Sequence, residues 1–299
     1  MNVTLLGTAS AEGWPGLFCR CESCARARRL GGKNIRTRSS SLIDGVLKID
    51  FPPDILHQVI QNNLDLQSLK AVLFTHGHDD HFSVPELQYL GKYFTSEAIK
   101  TVLPIYGPPD VIERLRELLN PMLVPVALHT LQMWKRTCVA GYGVTPIRAQ
   151  HDTSRECYNF LIQDESGTTL LYATDTGWYE EETWHFLAGK CIDGIVVECT
   201  KGLKQDGYMA HMCIPEIIRM RDKLQAMGTL APGAPIVTTH HSHLCGMMHE
   251  ELSAVLAPSR IQVGFDGLTF PLEHSEPAPL PRHTRSVPPE TSALTLDSR

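Results

Sequence analysis

Positive charge is in deficit in this chain: of its 299 residues, 27 are Lys or Arg and 33 are Asp or Glu, a formal net charge of −6. Proteins that grip nucleic acid do so through a broad basic surface, so the balance argues against nucleic acid as a partner. Long apolar runs are missing too. No stretch reaches the roughly eighteen apolar residues of a membrane span. The opening MNVTLLGTASAEG has neither the basic start nor the apolar core of a secretory signal. A cytoplasmic location away from membranes is the expectation. In that reducing compartment the nine cysteines, an odd number, are not expected to form disulfides. Cys138, Cys157, Cys191, Cys199 and Cys213, scattered mostly through apolar segments, read as small buried residues. No internal repeat stands out.

Hydrophobic residues make up 42% of the chain, enough for a sizeable core. NVTLLG reads as a strand, and SSLIDGVLKID as two strands turning at Asp44-Gly45. LKAVLFTH is a buried strand that runs straight into a polar loop. DILHQVIQNN, VPELQYLGKYF and PPDVIERLRELLN have helical spacing. Residues 122–173 are strand-rich, and beyond them helices alternate with strands again. Two sets of strands with interspersed helices fit an α/β fold, an αββα sandwich of two sheets between outer helices. The folded domain is expected over residues 1–272. Residues 273–299, rich in Pro, Ser and Thr, carry too little apolar surface to offset the entropy of ordering and read as a disordered tail.

Chemistry gathers in THGHDDH, residues 75–81, where His76, His78, Asp80 and His81 follow a buried strand. Alternate residues of an extended segment project to one side, so His76 and His78 can chelate one ion while the next turn brings Asp80 and His81 to a second. Further ligand-type residues stand where other strands end: His151 in IRAQHD, Asp175 in YATDTG, and His240, His241 and His243 in VTTHHSH. A separate cluster, Cys19, Cys21 and Cys24 in FCRCESC, is one ligand short of a closed tetrahedral zinc site.

The series His76-x-His78-x-Asp80-His81 followed by His151, Asp175 and His240 resembles the metallo-β-lactamase superfamily of dinuclear hydrolases, over residues 2 to about 270. Within it, GTASAEGWPGLFCRCESCARARR, YGPPD, ECTKG and VGFDG are similar to the phosphodiesterases of phosphonate degradation, PhnP-like enzymes that open a cyclic ribose phosphate. The resemblance implies two catalytic divalent metals, Zn or Mn, one on His76, His78 and His151, the other on Asp80, His81 and His240, with Asp175 bridging. It also implies a phosphodiester hydrolase in which Asp80 additionally orients the attacking hydroxide and His211, in YMAHMC, serves as general acid or as hydrogen-bond donor to a phosphate oxygen. His243 would complete a structural zinc site with Cys19, Cys21 and Cys24, Cys245 being near enough in sequence to replace it. His241 leaves the last catalytic ligand open between itself and His240, which the spacing to Ser242 and His243 favours. Lys33, Arg36 and Arg38 are either a second phosphate site or a solvated loop, with the latter favoured. The expected partner is a small phosphodiester, and a homodimer is left open. Rival readings are an RNA 3′-end endonuclease, a lactone or thioester hydrolase, and a metal-dependent binding protein without turnover.

Overall fold

Leu170 and Tyr172 face one way from their strand, Leu171 and Ala173 face the other, and all four are buried. A strand covered on both faces belongs to a layered sandwich. The computed structural model describes residues 1–95, 102–120 and 122–274. Its first sheet holds β1 (Asn2–Gly7), β2 (Ser40–Ile43), β3 (Leu47–Ile49), β4 (Ala71–Leu73), β5 (Leu103–Gly107) and β6 (Val126–Thr130), with β14 (Leu268–Pro271) beside β1. Its second holds β7 (Thr137–Val139), β8 (Tyr142–Arg148), β9 (Tyr158–Gln163), β10 (Thr169–Ala173), β11 (Gly194–Glu198), β12 (Ile236–Thr239) and β13 (Gln262–Val263).

Between the sheets lies an apolar layer in which Leu5, Ile49 and Leu73 meet Phe160, Tyr172 and Val196. Helices α2 (Ile55–Asn62), α3 (Val84–Leu87) and α4 (Pro109–Leu118) cover the first sheet through Ile55, Leu87, Ile112 and Leu115. Helices α5 (Glu181–Leu187), α6 (Ile214–Ala226) and α7 (His249–Leu256) cover the second through Trp184, Ile217, Leu224 and Leu252. The order of layers is αββα. No helix among the described residues is long and apolar enough to cross a membrane.

The expected turn at Asp44-Gly45 forms with φ of 48° and 72°, values that Asp and Gly tolerate. One helical reading needs correction. VPELQYLGKYF forms only α3 and a 3-10 turn, Gln88–Leu90, before Gly91 turns to extended backbone. Conversely ESCARARRL, which carried no expectation, forms α1 (Glu22–Leu30), with the Cys21 sulfur accepting from Cys24 N as its N-terminal cap. Cys157, Cys199 and Cys213 are buried as expected; Cys138, on the end strand β7, is exposed. The tail expected over 273–299 lies, from residue 275 onward, outside the described residues.

Candidate functional site

Strand exits from both sheets converge on one cavity. His76, His78, Asp80 and His81 follow β4, His151 follows β8, Asp175 follows β10 and His240 follows β12. Parallel pairing of β10, β11 and β12 brings two of these exits, those of Asp175 and His240, to the same end of the sheet. Asp175 and His240 leave their strands with φ of 49° and 52°, as does Asp50, after β3, at 57°. Left-handed backbone at several cavity residues is strain of the kind that tertiary packing holds at functional sites.

The structure brings these side chains together in groups within reach of one another. His76 Nε2 lies 2.9 Å and His151 Nε2 3.1 Å from His78 Nδ1. Asp80 Oδ2 lies 3.2 Å from His81 Nε2 and 3.7 Å from His240 Nε2. Asp175 stands between the sets. Its Oδ1 is 3.1 Å from His240 Nε2 and 3.7 Å from His151 Nε2, and its Oδ2 is 3.0 Å from His81 Nε2.

Each of these five imidazoles has its outer nitrogen engaged. His76 Nδ1 meets Thr75 Oγ1 at 3.0 Å, His78 Nε2 meets Asp152 Oδ2 at 3.3 Å, and His151 Nδ1 donates to Ala210 O at 3.2 Å. His81 Nδ1 donates to Asp50 Oδ2 at 2.7 Å, and His240 Nδ1 to Thr200 Oγ1 at 2.9 Å. A proton held on the outer nitrogen leaves the inner lone pair aimed at its neighbours, the tautomer that ligates a cation. His81 Nε2, His240 Nε2 and Asp175 Oδ2 are buried without a hydrogen-bond partner, which is the state expected of groups arranged for metal ions. The residues therefore could hold divalent metal ions. Burial, seconded by the charge of His81, pulls His76 well below the usual imidazole range, and burial likewise lowers His151; Asp175, although burial opposes it, is held far below the usual carboxylate range by His240 and His81.

His211 joins the site from the turn before α6. Its ring stacks on His240 with centroids 5.4 Å apart, and Nδ1 lies 2.8 Å from Glu198 Oε1. Burial opposes its protonation, but the Glu198 carboxylate outweighs burial and lifts the imidazole to about 9. His241 turns away: it is fully buried, with Nε2 3.3 Å from Thr238 Oγ1. Arg36 is also buried, bonded to Thr8, Gly264 O and His249, while Arg38 pairs with Asp54 and Lys33 lies over Phe265. None of these three cations lines the cavity, whose lining includes Lys201 and Lys204 instead.

Cys19, Cys21, Cys24 and His243 come together at the start of α1, their ligand atoms all within 4.8 Å of one another. The backbone N–H of Cys24 favours the Cys21 thiolate and lowers its pKa to about 6, whereas burial raises Cys24 to about 11. Cys245 stays outside this set, its sulfur accepting from Met247 N and its side chain lining the catalytic cavity.

Sequence reasoning missed the partners behind these groups: Asp50, Asp152, Glu198 and Thr200. Asp50 and Glu198 carried the signal used for Asp175, an acid closing an apolar strand, and both are fully buried. Asp50 also receives Thr75 N, at 2.8 Å. In Asp50→Asn the amide nitrogen facing His81 would donate where the carboxylate accepts, shifting the His81 proton to Nε2. Affinity for one catalytic metal is expected to fall about 10–100-fold; metal titration of both proteins checks this.

The family model for the beta-lactamase superfamily domain matches residues 42–241. No curated protein matches the chain by sequence. Among solved structures, a diphosphatase from the PhnP family is similar at 23% identity and a TM-score of 0.72, covering 91% of this chain and 98% of that one. Zn²⁺-bound PqqB from Methylobacterium extorquens is similar at 22% identity and 0.71, covering 91% and 100%. Human tRNase Z, short form, follows at 15% identity and 0.64, covering 92% and 100%. These likenesses establish a shared fold. With the family match spanning the strand exits that carry the histidines, the chain belongs to the β-lactamase superfamily and is a metal-dependent hydrolase of its αββα fold.

Proposed function

We propose that this hydrolase cleaves a small phosphodiester of the cyclic ribose phosphate class in the cytoplasm. The observation that carries the reading is the set of five imidazoles with outer nitrogens occupied and inner nitrogens facing one another or Asp80 and Asp175. Two divalent cations held there, Zn²⁺ or Mn²⁺ since both suit such ligands, would supply Lewis acidity and a nucleophile at neutral pH. The remaining chemistry belongs to side chains. His211, charged at neutral pH by Glu198, keeps Nε2 for the cavity and gives its proton to the leaving oxygen. Asp80 would hold a metal, and its carboxylate would also orient the nucleophile. A cavity of about 430 Å³ suits a small molecule, and the likeness to a PhnP-family diphosphatase points the same way.

Assays of the metal-loaded protein on bis-p-nitrophenyl phosphate, a cyclic ribose phosphate, a lactone and pre-tRNA test this. Turnover of the small diesters that chelation abolishes is the expected result. Preference for the lactone or pre-tRNA overturns the substrate class, and absence of turnover on all four favours a binding protein.

We also propose that Cys19, Cys21, Cys24 and His243 hold a structural zinc. Three thiolates and an imidazole close a tetrahedron, so no position remains for substrate. Cys21→Ser is expected to lose about one equivalent of zinc per chain and to lower the melting temperature, because such an ion contributes folding free energy directly. Metal analysis of both proteins, purified without chelator, decides; equal zinc content rules the site out.

A further inference from the structure

Glu12 stands between the two clusters. It lines the catalytic cavity with Ser10 and Ser242, and it also lines a second hollow formed by Gly16, Cys19 and His243. Its Oε2 accepts from Ser10 Oγ at 2.9 Å, and its Oε1 accepts from Ser242 Oγ. The same Oε1 lies 3.5 Å from His243 Nε2. The other nitrogen of that ring, Nδ1, faces Cys21 Sγ at 3.4 Å and Cys19 Sγ at 3.9 Å. Gly16 closes on the ring so tightly that a Cβ there would come within 3.1 Å of His243 Nε2.

We propose that Glu12 is a positioning residue that couples the cysteine–histidine cluster to the wall of the catalytic cavity. The proposal rests on the reading of that cluster as a metal site. A cation on Nδ1 requires the ring proton on Nε2, and Glu12 Oε1 is the acceptor placed to receive it. A carboxylate in that role orients the ring and raises the basicity of the ligating nitrogen. Two carboxylate oxygens offer about four acceptor positions, so Glu12 can take His243 while keeping both serine hydroxyls.

The serines carry the coupling onward. Ser10 N donates to His241 O at 3.1 Å and His241 N donates to Thr8 O at 2.7 Å, so the strip before Glu12 is paired with the strip that follows His240. Ser242 Oγ in turn accepts from Leu244 N at 3.1 Å, capping the turn that presents His243. Filling the cluster therefore sets the wall that faces the substrate, and loss of the link is felt in substrate binding.

The test compares wild type, Glu12→Ala, Ser242→Ala and Cys21→Ser, all purified without chelator. Zinc affinity of the cluster is read by competition with a chromophoric chelator, and KM and kcat are read on bis-p-nitrophenyl phosphate. Glu12→Ala is expected to bind the cluster zinc about 10–100-fold more weakly and to lose more in KM than in kcat. Ser242→Ala is expected to keep the zinc affinity and share the rise in KM. A lower melting temperature in Glu12→Ala with zinc affinity and KM of the wild type would overturn the coupling, as would an unchanged KM in Ser242→Ala. Equal zinc content in wild type and Cys21→Ser would instead remove the metal site itself, and the proposal with it.

Discussion

Asp175→Ala is expected to lower phosphodiester hydrolysis by at least about a hundredfold, the scale of a failed metal site. The oxygens of Asp175 reach both ligand sets, Oδ1 toward His151 and His240 and Oδ2 toward His81. Removing it leaves imidazoles facing one another and takes away one of the negative charges that would balance bound cations. The side chain is nearly sealed from solvent, so water cannot readily substitute for it. Turnover in a metal-replete assay, with metal content and circular dichroism measured alongside, gives the answer. Near-normal turnover in a folded variant would sink the assignment.

His211→Ala should reduce kcat by roughly 10²–10⁴, the usual worth of a general acid, with metal content unchanged. The leaving group separates two roles. An alkoxide needs a proton as the bond breaks, whereas p-nitrophenolate leaves without one, so a general acid matters more for the first. Equal losses on a p-nitrophenyl ester and on an alkyl or ribosyl ester would assign His211 to phosphate binding. Glu198 bears on the same point because its Oε1 sits 2.8 Å from His211 Nδ1. Its Oε1 also accepts from Thr176 N and its Oε2 from Met212 N, so substitutions there disturb the strand exit as well as the charge.

The residue types that can hold cations were legible in the chain, and for a local reason. THGHDDH places four such side chains within one short loop, and an extended segment followed by a turn separates them into pairs whatever surrounds them. The layers were legible too, since runs such as GIVVE, buried throughout, belong in a covered sheet. A helix at α1 was not, because ESCARARRL has few large apolar residues and owes its place to Cys24 and Ala27 packing beside Trp14 and Met248. VPELQYLGKYF misled in the opposite direction, its helical spacing cut short before Gly91.

By itself, then, the sequence determined a cation-binding loop, strand exits rich in imidazole and carboxylate, and a core adequate for two sheets. Only the tertiary structure decided between His240 and His241, which are adjacent in sequence. Backbone at φ 52° turns the first into the cavity, and the hydrogen bond from His241 N to Thr8 O holds the second in the interior. It also chose Asp50 for His81, Glu198 for His211 and Glu12 for His243, pairs whose members are 31, 13 and 231 positions apart. Spacing along a strand dictates which face a side chain takes, but the partner on that face is supplied by whichever segments the packing of two sheets brings alongside.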